Sequence, residues 1–186
     1  MNVYDFDKTI YKEDSTENFV FFCLKKQPLV LLHLPVIIVY GSMFLIKVID
    51  KTSFKEKLYG YFKYIKNIDE LLDEFVSDNI HKIQPWYLNQ KQDDDLIISA
   101  SPEFLVRKFL DKIEIKNLIA SRVDKHTGKY TGLNCYHEEK VIRYKEIYND
   151  TIVDEFYSDS LSDTPMAKLA KKAYFVSDGV VTDWKF

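Results

Sequence analysis

The residues best suited to chemistry stand in four places along the chain. Asp5-Phe6-Asp7-Lys8-Thr9 follows a short apolar run and sets two carboxylates two residues apart. Ser99-Ala100-Ser101-Pro102 closes a second apolar run at the start of a helix, where unpaired backbone N–H groups and the helix dipole favour an anion. Lys140 lies near the start of a later helix, and Asp159-Ser160-Leu161-Ser162-Asp163 follows a third apolar run. Each feature also has a structural explanation when taken alone. The aspartates could cap helices, Lys140 could be a solvated surface lysine, and Ser99 could satisfy a turn. Calcium loops contain Asp-x-Asp too, but the glycine and closing glutamate of such a loop are missing here.

The elements that must position these groups are legible from apolar periodicity. Residues 2–6 read as a buried strand. Residues 14–26 read as a helix with Asp14 as N-cap and Glu17 as its capping-box partner. Residues 28–46 carry no charged side chain and are interrupted only by His33, two prolines and Gly41. Residues 50–81 have helical spacing, with Leu58, Phe62, Ile65, Leu72, Phe75 and Val76 as the buried stripe. Residues 86–95 are polar and read as a connection. Beyond them strands at 96–100, 118–121, 153–157 and 173–176 alternate with helices at 102–112, 138–148 and 165–172. Residues 125–134 carry two Thr-Gly pairs and read as turns or a small hairpin. This alternation predicts an α/β fold, a parallel sheet with helices on both faces. In such sheets ligands bind beyond the carboxyl ends of the strands, and all four features fall there.

Composition narrows the function classes. The chain has 186 residues, 46% hydrophobic and 30% charged, as expected of a folded domain rather than a disordered one. A net charge of −3 offers no basic field for nucleic acid. Cys23 and Cys135 form neither a metal-ligand spacing nor a disulfide framework, and no leader-like stretch precedes Val3; both point to a reduced, cytoplasmic protein.

Taken together and in this order, the four features resemble the motif set of the haloacid dehalogenase superfamily: Asp-x-Asp-x-Thr, an apolar strand ending in Ser or Thr, a lysine, and an acidic pair after an apolar strand. The resemblance spans almost the whole chain and implies a Rossmann-like parallel sheet with an inserted α-helical cap. It implies that Asp5 is the nucleophile that becomes an aspartyl-phosphate and that Asp7 is the general acid/base. It implies that Ser99, Ala100 and Lys140 hold the phosphate oxygens, with Thr9 orienting the first loop beside them. Mg²⁺ would be the cofactor, bound by Asp5, the backbone carbonyl of Asp7 and Asp159, with Asp163 in support. Lys8 stands where many relatives have glycine or another small residue. Carbon–halogen hydrolysis, which needs no Mg²⁺, is disfavoured by Asp7 and the Asp159/Asp163 pair.

Under this resemblance residues 1–12 and 93–186 form the catalytic core and 13–92 the helical cap, as in the subgroup that includes phosphoserine phosphatase. A narrower likeness is to the phosphatidylglycerophosphatase C family, carried by Lys25-Lys26-Gln27-Pro28-Leu29, the run through Leu34-Pro35, Asn117-Leu118-Ile119-Ala120-Ser121, His137-Glu138-Glu139-Lys140-Val141 and Tyr157-Ser158-Asp159-Ser160. It implies a lipid phosphate head group as substrate; a soluble phosphorylated small molecule is the alternative. The insertion has no arginine, which argues against phosphoserine. A single membrane crossing at 28–46 would part Asp5 from Ser99, Lys140 and Asp159. The remaining readings are a buried cap hairpin, peripheral contact at the inner face of the cell membrane, or a homodimer face. A third reading of the whole chain is a membrane-associated binding protein without catalysis.

Overall fold

The protein is described by a computed structural model covering residues 1–149 and 151–186. Val3–Tyr4, strand β1, is only two residues long but lies at the centre of the sheet. Leu96–Pro102 (β2) and Val153–Ser158 (β4) flank it in parallel, with Asn117–Ser121 (β3) outside β2 and Ala170–Ser177 (β5) outside β4. Val180–Asp183 (β6) closes the far edge antiparallel to β5. Alternate side chains of a strand face opposite sides. Val3, Leu96, Ile98 and Phe156 therefore enter one core with Tyr144, Met166, Ala167 and Trp184, while Tyr4, Ile97 and Tyr157 enter the other. The helices on the two faces are Glu103–Lys112 (α6) on the second side, and Glu138–Tyr148 (α7) and Thr164–Ala167 (α8) on the first.

The residues between β1 and β2 fold as Ser15–Lys26 (α1), Leu34–Leu45 (α2), Lys51–Tyr59 (α3), Ile68–Asn79 (α4) and Pro85–Gln90 (α5), joined in part by 3-10 turns. Asp14 caps α1 by accepting from the Glu17 N–H at 2.9 Å. The buried stripe of α1 and α4 packs on α6 through Phe19–Phe75 at 5.1 Å and Phe75–Phe109 at 5.8 Å. Side chains of this size contribute about 1.5–3 kcal/mol each on full burial, so the inserted helices and the sheet share one continuous core. The stretch Pro28–Leu45 is different. It is apolar and long enough to cross a membrane, yet only 11% of it is buried. Val30 and His33 turn inward, while Leu31, Leu32, Ile38, Val39 and Leu45 face outward. Both ends of the stretch return to the same body, so it does not separate the two halves of the protein.

Several elements differ from the sequence expectation. Residues 86–95 are not merely a connection: Pro85 starts α5, because Tyr87 packs edge-on against Tyr4 at 4.9 Å. The helix expected over 165–172 ends at Ala167, since pairing of Val153 with Ala170 draws the chain into β5. β5 is not the last strand and is mostly half-exposed; a turn at Asp178–Gly179, both at positive φ, folds it back into β6. The helical spacing over 50–81 is divided into α3, a 3-10 turn and α4. Between β3 and α7 the small hairpin is reduced to a bridge between Val123 and Tyr130.

Gly128 in that loop fixes how the inserted helices sit on the core. Its φ is +75°, and a Cβ there would lie 2.2 Å from the Tyr59 carbonyl oxygen. Gly128→Ala is expected to destabilise the protein by about 2–4 kcal/mol, from left-handed strain and the clash with backbone. Urea unfolding checks this; a loss below about 0.5 kcal/mol would mean the loop moves freely off Tyr59.

Candidate active site

β1 delivers Asp5. Opposite Tyr4 stand Tyr157 and Ile97, and the Asp5 N–H donates to the Tyr157 carbonyl at 2.8 Å, so the chain leaves the sheet with the Asp5 side chain at its carboxyl edge. There Lys140, 2% exposed, reaches in from α7 and donates to Asp5 Oδ1 at 2.6 Å and to Asp163 Oδ2 at 2.7 Å. Ser158 Oγ also donates to Asp163 Oδ2, at 2.7 Å. Thr9 is wholly buried, and its hydroxyl accepts the Asp159 backbone N–H at 3.0 Å, which clips the loop after β1 to the loop after β4.

Asp7 points the other way. Oδ1 accepts the Ser15 N–H at the start of α1 at 2.7 Å, and Oδ2 accepts the hydroxyl of Ser101. Ser101 also meets Thr16 at 3.0 Å, so one carboxylate ties β1, β2 and the first inserted helix together. Ser101 does not cap α6 although it precedes Pro102: Pro102 still belongs to β2, α6 has no side-chain cap, and the serine serves Asp7 instead. Ser99 Oγ accepts the Ser101 N–H at 3.1 Å.

Asp5, Asp7, Ser99, Ser101 and Lys140 line a cavity of about 250 Å³, together with Ala100, Asp159 and Asp163. Lys51 and Lys55 of α3, and Tyr136, line it too, although the sequence pattern assigns none of them a place at the site. Lysines four apart behind a capping aspartate were the available signal, but solvated helix starts look the same. Burial pushes the Asp7 carboxyl up to about 6, helped by Asp14 and opposed by Ser101 and Ser15. Burial likewise raises Asp5, and Asp163 and Asp159 add to it against the pull of Lys140. Burial by itself would lower Lys140, but its two carboxylates outweigh it and hold the amine charged.

The sequence matches the haloacid dehalogenase-like hydrolase family over residues 3–168, which include every one of these groups. The chain belongs to that family. Among similar proteins are histidinol-phosphatase of Neisseria meningitidis serogroup C (strain 8013), 25% identical over 58% of this chain and 55% of that protein, and Protein CicA of Caulobacter vibrioides (strain NA1000 / CB15N), 32% identical over 45% and 41%. The chain thus spans about half the length of the curated relatives it matches. A protein of unknown function from Bordetella pertussis Tohama I shares the fold, with a TM-score of 0.75 at 17% identity over 93% of this chain and 87% of that one. A phosphoserine phosphohydrolase-like protein from Francisella tularensis subsp. tularensis SCHU S4 gives 0.60 at 18% identity over 93% and 86%.

The donor set of this family member fits a hard divalent cation. Among the described residues no three His, Cys, Asp or Glu side chains converge into a closed cage. Mg²⁺ does not need one, because it binds through one or two carboxylates and keeps waters and substrate oxygens. Asp5 and Asp159 both line the cavity, and Asp163 Oδ1 is buried without a hydrogen-bond partner. Burial and then Asp163 raise Asp159, with Lys8 and Lys140 pulling it down. An unsatisfied oxygen beside crowded carboxylates is the setting a cation or its water relieves.

Removing the amine from its two carboxylates leaves uncompensated buried charge. Lys140→Met is expected to cost about 3–5 kcal/mol of stability in metal-free buffer, read by urea unfolding at neutral pH. A cost below about 1 kcal/mol would show that Lys140 does not neutralise this pair.

Proposed function

We propose that this protein is a Mg²⁺-dependent phosphatase that hydrolyses a phosphate monoester through covalent capture on Asp5. The observation that carries the reading is Lys140 held on Asp5 inside a solvent-connected cavity that Asp7 also enters. In the first step an Asp5 carboxylate oxygen bonds to phosphorus while the phosphorus–oxygen ester bond breaks, and Asp7 gives its proton to the departing alcohol oxygen. In the second, Asp7 takes a proton from water, whose oxygen attacks phosphorus and releases inorganic phosphate from Asp5. Ser99, Ala100 and Lys140 hold the phosphoryl oxygens, and Thr9 positions the loops of Asp5 and Asp159. Mg²⁺, which Asp5, Asp159 and the Asp7 carbonyl would hold, supplies neutralisation of the phosphoryl charge. The histidinol-phosphatase among the relatives supports the same reaction class.

A lipid phosphate such as phosphatidylglycerophosphate, met at an anionic membrane surface, is the substrate this reading favours. The support is the outward apolar face of Pro28–Leu45 with Lys25 and Lys47 exposed near its ends. Such a face lies in the interface while lysines meet anionic head groups. The cavity is too small for acyl chains, which would stay with that face.

Two measurements test these readings. Aryl phosphate is expected to turn over with Mg²⁺, to stop with EDTA, and to fall by about 10³-fold or more in Asp5→Asn. Full activity in that variant would leave a binding protein without catalysis. In flotation at low salt the protein is expected to rise with anionic vesicles, and Leu32→Asp with Ile38→Asp to remain below. Failure of the unaltered protein to float would turn the reading to a soluble substrate, and a concentration-dependent dimer would assign the face to a second copy.

A further inference from the structure

Lys140 is not the only cation at the cavity. Asp50 accepts the Ser53 N–H at 2.8 Å and so fixes the start of α3. From that start Lys51 and Lys55, one helical turn apart and on one face, both reach the cavity. Phe54 faces away, stacked on Phe44 of α2 at 5.2 Å, and Lys57 lies over Tyr40 at 5.4 Å. The orientation of α3 is therefore set by its packing on α2, and the two lysines are committed to the site.

Neither amine has a carboxylate partner within ion-pair distance among the described residues. Lys55 donates to the Ala100 carbonyl at 3.1 Å, a neutral acceptor, and Lys51 sits over the Tyr136 ring at 4.4 Å. Burial lowers Lys55, Lys51 adds to this, and Asp7, Asp14 and Asp5 oppose it from farther away. Lys51 is exposed and Lys55 half-buried, so two like charges line one side of the cavity with no counter-charge paired to either. The phosphoryl end of a substrate is already provided for by Ser99, Ala100 and Lys140, which come from the sheet and α7, whereas Lys51 and Lys55 enter from the inserted helices. Apart from Ala100 and Tyr136, the cavity lining consists of charged and hydroxyl side chains, which suits a polar neighbour to the phosphate.

We infer that Lys51 and Lys55 form a second anion subsite, which selects phosphate esters whose alcohol part carries another negative group, a carboxylate or a phosphodiester. This rests on the phosphatase reading and narrows its substrate class. It also gives the insertion, which has no arginine, its means of recognising an anion.

The test compares kcat/KM for glycerol 3-phosphate, 3-phosphoglycerate and a short-chain phosphatidylglycerophosphate in low salt. The second and third add a carboxylate and a phosphodiester respectively. At least one is expected to exceed glycerol 3-phosphate by about tenfold or more, and which one names the source of the anion. In Lys51→Met/Lys55→Met that ratio is expected to collapse to within about twofold, mainly through KM, and in Lys51→Arg/Lys55→Arg to persist. An equal ratio in the methionine variant, or no preference in the unaltered protein, overturns the subsite. Lack of turnover on any ester, aryl phosphate included, defeats the phosphatase reading instead. Binding then decides the subsite: phosphonoacetate should bind about tenfold tighter than methylphosphonate by calorimetry, and the difference should vanish in the methionine variant. Equal binding of the two probes overturns it.

Discussion

A lysine amine buried between two carboxylates is the constraint around which the carboxyl edge of the sheet is arranged. Lys140 comes from α7, Asp5 from the end of β1 and Asp163 from the turn after β4, so one charge cluster joins three separate parts of the chain. Burying one of these groups alone would be strongly unfavourable; together they satisfy most of one another's hydrogen bonds. The strand register makes the meeting unavoidable. With Tyr4 opposite Tyr157, Asp5 emerges level with the start of the Ser158–Asp163 turn, and Ser158 then fastens Asp163 from behind.

Asp7 does for the inserted helices what Lys140 does for the sheet. Its two oxygens join the first turn of α1 to the end of β2, and the aromatic packing of α1 and α4 on α6 extends that junction into the core. The insertion is anchored at its base and carries its exposed apolar stretch at a distance from that anchor. α3 connects the two, with one face on α2 and the other toward the cavity.

Much of the fold was legible because the parallel strands are apolar runs that end in polar and acidic residues. Asp5, Ser99, Asp159 and Asp163 could be named as site candidates because they close or follow apolar strands, and Lys140 because it stands near the start of a later helix. Three things were not legible, each for a physical reason. β6 is exposed at all four positions and has no buried alternation, although Asp178-Gly179 was an available turn signal. Ser101 before Pro102 has the sequence of a helix cap; only the fold brings Asp7 within its reach. Lys51 and Lys55 look like solvated lysines until the packing of Phe54 decides which way α3 faces.

Lys8 closes the loop between Asp5 and Thr9 in a left-handed conformation, with φ of 56°, a geometry that glycine adopts about 1 kcal/mol more easily. Its N–H is bound to the Glu13 carbonyl at 3.0 Å, so the turn keeps its shape through the main chain. The side chain, by contrast, stands beside Asp159 at the boundary between the cavity and a neighbouring one of about 420 Å³, and its charge favours the ionised form of that carboxylate against the burial that raises its pKa. Backbone form and local potential are thereby assigned to different atoms of one residue. Evolution can retune the charge of the centre at this position by exchanging a side chain, with the path of the polypeptide left as it was.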